Sequence, residues 1–211
     1  RSAELTPNAW YTSGPVDAVQ LCRQMLDGID ILNRRWMFDP KKNHPLMDLP
    51  NQIIVTQMSA GEHPSSMAGR AEIIIDAQYL PSEKDEFGLG GHVKREIEEH
   101  VRHVCQADPY LREHPARVEW ILDADCAEIP ADSPFVSIFQ EAVATADLSP
   151  VLSGFGAHSD IGLPTGLGNT PTVNFGPGDP AQAHQPNERV SVRDLVDCTK
   201  AIALAVQKWC N

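Results

Sequence analysis

Apolar residues recur at intervals of three and four from Pro15 to about Trp36, taking in Val16, Val19, Cys22, Met25, Leu26, Ile29, Leu32 and Trp36. That is the spacing of one helix face, and it commits the chain to a long amphipathic helix with one side to bury. Two β-branched runs follow, Gln52-Ile-Ile-Val-Thr-Gln-Met and Arg70-Ala-Glu-Ile-Ile-Ile-Asp-Ala-Gln-Tyr. A turn rich in Gly, Pro and Ser separates them, so they read as paired strands. Val93, Ile97, Val101 and Val104 mark a second helix whose outer face carries Lys94, Arg95, Glu98, Glu99 and Arg102, and Arg117-Val-Glu-Trp-Ile-Leu reads as a further strand. One strand ahead of Pro15 would turn this α-β-β-α-β order into a ferredoxin-like sandwich, an antiparallel sheet with two helices on one face. Most of that strand is expected upstream of Arg1.

Near Asp123 to Pro134 the composition shifts to prolines and acidic residues, which predicts a domain boundary. Beyond it, Phe135, Ile138, Phe139 and Val143 outline a helix, and Pro150-Val-Leu and Pro171-Thr-Val-Asn-Phe resemble short buried strands. Val192 to Val206 forms a closing helix, with Leu195, Val196, Thr199 and Ile202 expected to face inward. This alternation predicts an α/β layer with parallel strands.

The formal net charge of −12 excludes an electrostatic grip on nucleic acid or on an anionic membrane, since no Lys/Arg cluster is present to displace counterions. No run approaches the length of a membrane span, and the start, Arg1-Ser-Ala-Glu-Leu-Thr-Pro, lacks the apolar core of a signal peptide and an initiator Met. Residue 1 is therefore not expected to begin the gene product. Cys22, Cys105, Cys126, Cys198 and Cys210 are scattered, odd in number and without CxxC pairs, which points to free thiols and a cytoplasmic location.

Chemistry concentrates in Gly154-Phe-Gly-Ala-His-Ser-Asp-Ile-Gly and in Asn174-Phe-Gly-Pro-Gly-Asp-Pro-Ala-Gln-Ala-His-Gln-Pro-Asn-Glu. Each follows a predicted strand, where glycine-rich turns leave backbone N–H groups facing a crevice. His184 is a candidate metal ligand in such a turn, or an ordinary surface-loop histidine. His158, Ser159 and Asp160 are the residue types of a hydrolase triad, but neighbours in an extended chain point to opposite faces and the G-x-S-x-G elbow is absent, so loop hydrogen bonding explains them better. His100 and His103, one helical turn apart near Glu96 and Glu99, are read as part of a solvated helix face rather than a metal pair. Gly176 and Gly178 around Pro177 suit either a tight turn or an anion cradle.

The stretch from Gly176 to Glu188, with Gly-Pro-Gly, then His184, then Asn187-Glu188, resembles the closing motif of the dinuclear zinc amidohydrolases. These include acetylornithine deacetylase, succinyl-diaminopimelate desuccinylase, aminoacylase and bacterial glutamate carboxypeptidases, and the resemblance spans nearly the whole chain. It implies that His184 is a zinc ligand, one of a set binding two zincs in the complete site, with cobalt or manganese as alternatives. It implies a ferredoxin-like lid and dimerisation domain over residues 1–124 and the C-terminal part of an α/β catalytic domain over 125–211. It places Gly61, Ser65 and Gln78 where family members meet the substrate with a Gly-rich turn, an Asn and an Arg, and Gly156, Ser159 and Asp160 at a Gly-Ser/Thr-Asp motif near the substrate. Gln78 lacks the cation that holds a carboxylate bidentately, which argues against a free α-carboxylate on the substrate.

The family's His-x-Asp motif, bridging Asp and Glu-Glu pair are missing, and with them the other ligands and the general base. The lid histidine that reaches a neighbouring active site is also expected upstream of Arg1. The implied activity is hydrolysis of a small amide, such as an N-acyl amino acid, an N-acyl amine or a peptide amide, by metal-activated water. One histidine does not hold a catalytic zinc, so the chain alone is expected to be inactive and to need a complementary N-terminal half, alongside homodimerisation through the lid. A catalytically inactive dimerisation or binding module is the alternative.

Overall fold

A computed structural model describes residues 16–211 of the chain, which divides into two compact units, Arg1–Ala124 and Asp125–Asn211. The strand expected ahead of Pro15 lies outside the described residues. Among those residues no helix is long and apolar enough to cross a membrane.

Helix α1 spans Ala18–Phe38, and it starts where the Asp17 carboxylate accepts a hydrogen bond from the Val19 N–H at 2.9 Å. It ends at Asp39, because Pro40 has no N–H with which to continue the ladder. Strands β1 (Ile53–Ala60) and β2 (Ala71–Ala77) pair antiparallel, with Ile53 opposite Ala77 and Ala60 opposite Ala71, and a bulge between Val55 and Gln57. Helix α2 covers Gly91–Ala107, and the short α3 covers Pro109–Glu113. Met25, Ile29, Leu32 and Trp36 of α1 meet Val93 and Ile97 of α2 and Ile53, Ile73 and Ile75 of the sheet, so both helices share one core with the strands.

Helices α1 and α2 approach closely at Gly28, where a Cβ would lie 2.5 Å from the Val104 Cγ2. There the buried His100 donates its Nε2–H to the Gly28 carbonyl at 2.8 Å, since a carbonyl can only accept. The solvated face expected for His100 and His103 is thus half wrong: His103 is exposed, but His100 is a core residue spent on a backbone oxygen.

A buried charge cluster closes the other end of this core. Lys42, only 3% exposed, pairs with Glu83 and with Glu96 (2.9 Å), and its ammonium sits 3.8 Å from the centre of the Trp36 ring. Trp36 donates its indole N–H to Glu96 at 2.7 Å, and the Asn51 amide donates to Glu83 at 2.9 Å. Each charge taken from water therefore has a partner.

The expected strand at 117–122 does not form. Val118 and Trp120 still turn half inward, with the Trp120 indole donating to Glu98 at 2.6 Å, but no described strand lies alongside to supply a ladder. Unit 1 is thus an α-β-β-α arrangement on a two-stranded sheet. Its exit is clasped: Tyr79 donates to the Ala124 carbonyl at 2.7 Å, and Asp123 pairs with Lys94 at 2.6 Å.

Unit 2 contains α4 (Pro134–Thr145) and α5 (Val192–Cys210), started by the Ser133 and Ser191 hydroxyls, with a π-helical turn at Leu163–Leu167 between them. The helices pack through small and β-branched side chains, Val136, Ala142 and Val143 against Cys198, Ala201 and Ala205. Two expectations fail here. Pro150–Leu152 and Pro171–Phe175 form no strands, so no parallel sheet exists among the described residues. The inward face of α5 is also not the expected one: Leu195, Val196 and Ile202 are exposed, because the neighbouring arc with Cys198, Ala201 and Ala205 meets α4. All five cysteines are free, and burial pushes the Cys22 and Cys198 thiols above their ordinary pKa, which makes them unreactive.

Candidate active site

The segment from Gly176 to Glu188 is a chain of short turns rather than an open loop. Gly178 adopts φ +94°, and a Cβ there would press within 3.3 Å of Val190, so only glycine fits. The Asp179 carboxylate then accepts from the Ala181 N–H at 2.9 Å and starts a single 3-10 turn, Pro180–Gln182. The next residues carry the unusual backbone: His184 and Asn187 both sit at φ 62°, left-handed and costly for a histidine. The Glu188 carboxylate holds this shape by accepting the His184 backbone N–H at 3.2 Å. The His184 side chain is exposed on this turn.

In the second segment, His158 Nε2 lies 3.4 Å from an Asp160 carboxylate oxygen, both side chains are exposed, and Ser159 is half-buried without a bond to His158. The geometry of a serine-hydrolase relay is therefore not formed. Gly156 is exposed in the same loop. The sequence reading missed Asp125, whose carboxylate lies where a Cβ on the buried Gly162 would be, 2.3 Å from that position. An acidic residue inside a boundary segment carries no periodic signal, and only the folded backbone shows that it closes on the Ile161-Gly162 turn.

The two candidates of unit 1 do not come together. Ser65 lies in the exposed turn joining β1 to β2, next to Gly61 at φ 77°, with its N–H donated to His63 Nδ1 at 3.1 Å. Gln78 lies just past the far end of β2, half-buried, with its backbone N–H on the Gln52 carbonyl at 3.0 Å. Seven strand residues at ~3.4 Å each separate the two ends.

Among the described residues no three His, Cys, Asp or Glu side chains converge as a metal site. The donors present, His184 with Glu188 beside it, do not fit a complete catalytic metal centre, which needs three or more protein ligands. No chemical step through a metal follows from this chain by itself.

Similarity to known proteins covers most of the chain. An N-formyl-4-amino-5-aminomethyl-2-methylpyrimidine deformylase from Halalkalibacterium halodurans is 30% identical over 92% of this chain and 46% of its own length. A protein of the same name from Bacillus subtilis is 25% identical, again over 92% of this chain and 46% of its own length. The chain thus spans about half the length of these curated relatives. Residues 15–208, which include the His184 turn and most of both units, match peptidase family M20/M25/M40, whose members generally bind metal ions, and the chain belongs to that family.

Proposed function

We propose that this chain is the C-terminal portion of a metal-dependent amidohydrolase that hydrolyses a formamide or a related small N-acyl amide, releasing the acid and an amine. The observation that carries the reading is the turn from Gly178 to Glu188, which holds an exposed His184 at φ 62° with the Glu188 carboxylate on its backbone N–H. His184 is proposed as one ligand of a zinc site, two zincs in all, whose other ligands and general base lie outside this chain. Among the described residues no three such donors converge, which is compatible with that division.

The substrate class follows from the relatives, named for a formamide of an aminopyrimidine. Gln78 suits such a substrate better than an amino acid. Its neutral amide carries no charge with which to hold a carboxylate. Ser159, Asp160 and Gly156 are proposed to line the acyl side of the site, with Gly176 and Gly178 shaping the turn beside it. Unit 1 is proposed as a ferredoxin-like lid through which two copies dimerise, which the α-β-β-α order supports. Free cysteines support a cytoplasmic setting.

A second reading, a non-catalytic dimerisation or binding module, is equally compatible with the shortage of metal donors among the described residues. The test is formate release from the N-formyl aminopyrimidine by the protein isolated from its own cells, beside its His184→Ala variant. The enzyme reading expects formate and free amine in equal amounts from the wild type and a loss of roughly a hundredfold or more in the variant. Wild-type protein without any hydrolysis of formyl or acetyl amides would leave the binding module.

A further inference from the structure

The turn that follows Asp160 takes an uncommon form. Leu163–Leu167 is a π-helical turn, a geometry that occurs mostly as single turns and frequently at functional sites. Its hydrogen bonds begin at Asp160, whose carbonyl accepts the Leu163 N–H at 3.2 Å. They continue with the Thr165 N–H to Ile161 at 3.1 Å, the Gly168 N–H to Leu163 at 3.1 Å and the Thr170 N–H to Pro164 at 2.8 Å. Residues 160–170 thus form one hydrogen-bonded unit, with the Asp160 carboxylate at its exposed end. The same turn buries the Thr165 hydroxyl without a hydrogen-bond partner among the described residues, so it gains from a support outside its own bonds.

Asp125 supplies such a support. Gly162 opens the π-helical turn and is buried, yet its backbone angles, φ −58° and ψ −40°, are right-handed helical ones that any residue adopts. Conformation therefore does not require a glycine there. Space does: a Cβ on Gly162 would collide with the Asp125 carboxylate, whose Oδ1 would be only 2.7 Å away and whose Cγ and Oδ2 would be nearer still. The half-buried Asp125 side chain thus fills the volume of the side chain that Gly162 lacks. This is a steric contact, which an isosteric amide would preserve and a methyl group would not.

We propose that Asp125 is a positioning residue of the site: its carboxylate wedges against Gly162, fixes the Ile161-Gly162 turn and so orients Asp160 for the substrate. The Asp160 side chain is 89% exposed, and the His158 imidazole at 3.4 Å is itself exposed, so neither side chain anchors the other. The direction of the Asp160 carboxylate is therefore set by the backbone turn that carries it. Small displacements of a binding group weaken substrate binding steeply, which makes the support of that turn a functional matter. Asp125 acts through Gly162 and touches no substrate. The inference rests on the reading of Asp160 as a residue lining the site, but the first half of its test needs no activity.

The test uses the protein isolated from its own cells, as wild type and as Asp125→Ala, Asp125→Asn, Gly162→Ala and the Asp125→Ala/Gly162→Ala pair. Backbone hydrogen exchange is read first, then KM and kcat for the N-formyl aminopyrimidine. Asp125→Ala empties the wedge and Gly162→Ala displaces it. Each is expected to speed exchange of the Leu163, Thr165 and Gly168 N–H groups roughly tenfold or more, and to raise KM roughly tenfold with kcat within about twofold. The pair returns a methyl group to the emptied space and is expected to recover most of both losses, a non-additivity that two unrelated defects would not show. Asp125→Asn keeps the shape and is expected to exchange and bind as wild type does. Wild-type exchange in Asp125→Ala, or a pair no better than the worse single variant, overturns the proposal. Faster exchange with KM unchanged also overturns it, since the contact would then serve the fold alone. If Asp125→Ala does not fold, a folded pair upholds the wedge and an unfolded pair overturns it. Wild-type protein without amide hydrolysis would sink the enzyme reading, while the exchange pattern would still decide whether Asp125 holds the turn.

Discussion

His184 sits on the surface in a left-handed backbone conformation. A histidine at φ 62° gives up backbone stability that glycine would not, and the Glu188 carboxylate on its N–H maintains the arrangement. His184→Gly is therefore expected to raise stability to urea by roughly 0.5–1 kcal/mol while removing the proposed ligand. Equilibrium unfolding of the two forms checks this, and a destabilised variant would mean that the imidazole packs rather than waits for a metal. The identity of this residue as a candidate was legible in the sequence, through the glycines before it and the Asn187-Glu188 after it. Its left-handed backbone was not, because no residue type announces φ except glycine and proline. Asp125 against Gly162 was invisible for a similar reason, since it depends on which turn the chain makes.

The elements sort by whether their cause is local. Helices α1, α2, α4 and α5 and the β1–β2 hairpin appear where apolar spacing and turn residues put them, since period and caps act within a few residues. The segments at 117–122, 150–152 and 171–175 have strand composition and no strand, because a ladder needs a neighbour that composition does not supply. The bare stripe on α5 failed differently, since two apolar arcs satisfy the same helical period and only packing chooses between them.

Two stability effects belong at this scale. Lys42 holds Glu83 and Glu96 together with the Trp36 ring, so Lys42→Ala leaves the nearly buried Glu83 carboxylate without a cation and should cost about 3 kcal/mol, measured by urea unfolding. A change below about 1 kcal/mol would mean that the carboxylates relax into water. The turns that start α2 and α3 should also make unit 1 sensitive to acid. Backbone N–H groups, Leu89 foremost for Asp85 and Leu111 foremost for Asp108, hold both carboxyls below their ordinary value of 3.8. A carboxyl with a lowered folded-state pKa contributes stability above its unfolded value and loses it as pH falls through the folded one. Thermal midpoints should therefore stay flat from neutral pH to about pH 5 and drop below about pH 4, and Asp85→Asn should flatten part of that drop.

At the scale of the molecule, unit 1 encloses a core shared by two helices and two strands, whereas unit 2 buries mostly small side chains between one helix pair and leaves Val151, Leu167 and the α5 stripe in water. Composition hid this contrast, because 42% hydrophobic residues say nothing of how many find cover. The central claim is that His184 is one ligand of a metal site completed by residues outside this chain. Elemental analysis tests it most directly, applied to the protein isolated from its own cells, to its His184→Ala variant and to the recombinant 211-residue chain. The account expects about two zinc equivalents in the native protein, clearly less in the variant and none retained by the chain alone. Zinc content that His184→Ala leaves unchanged, or a full complement held by the 211-residue chain, would contradict it.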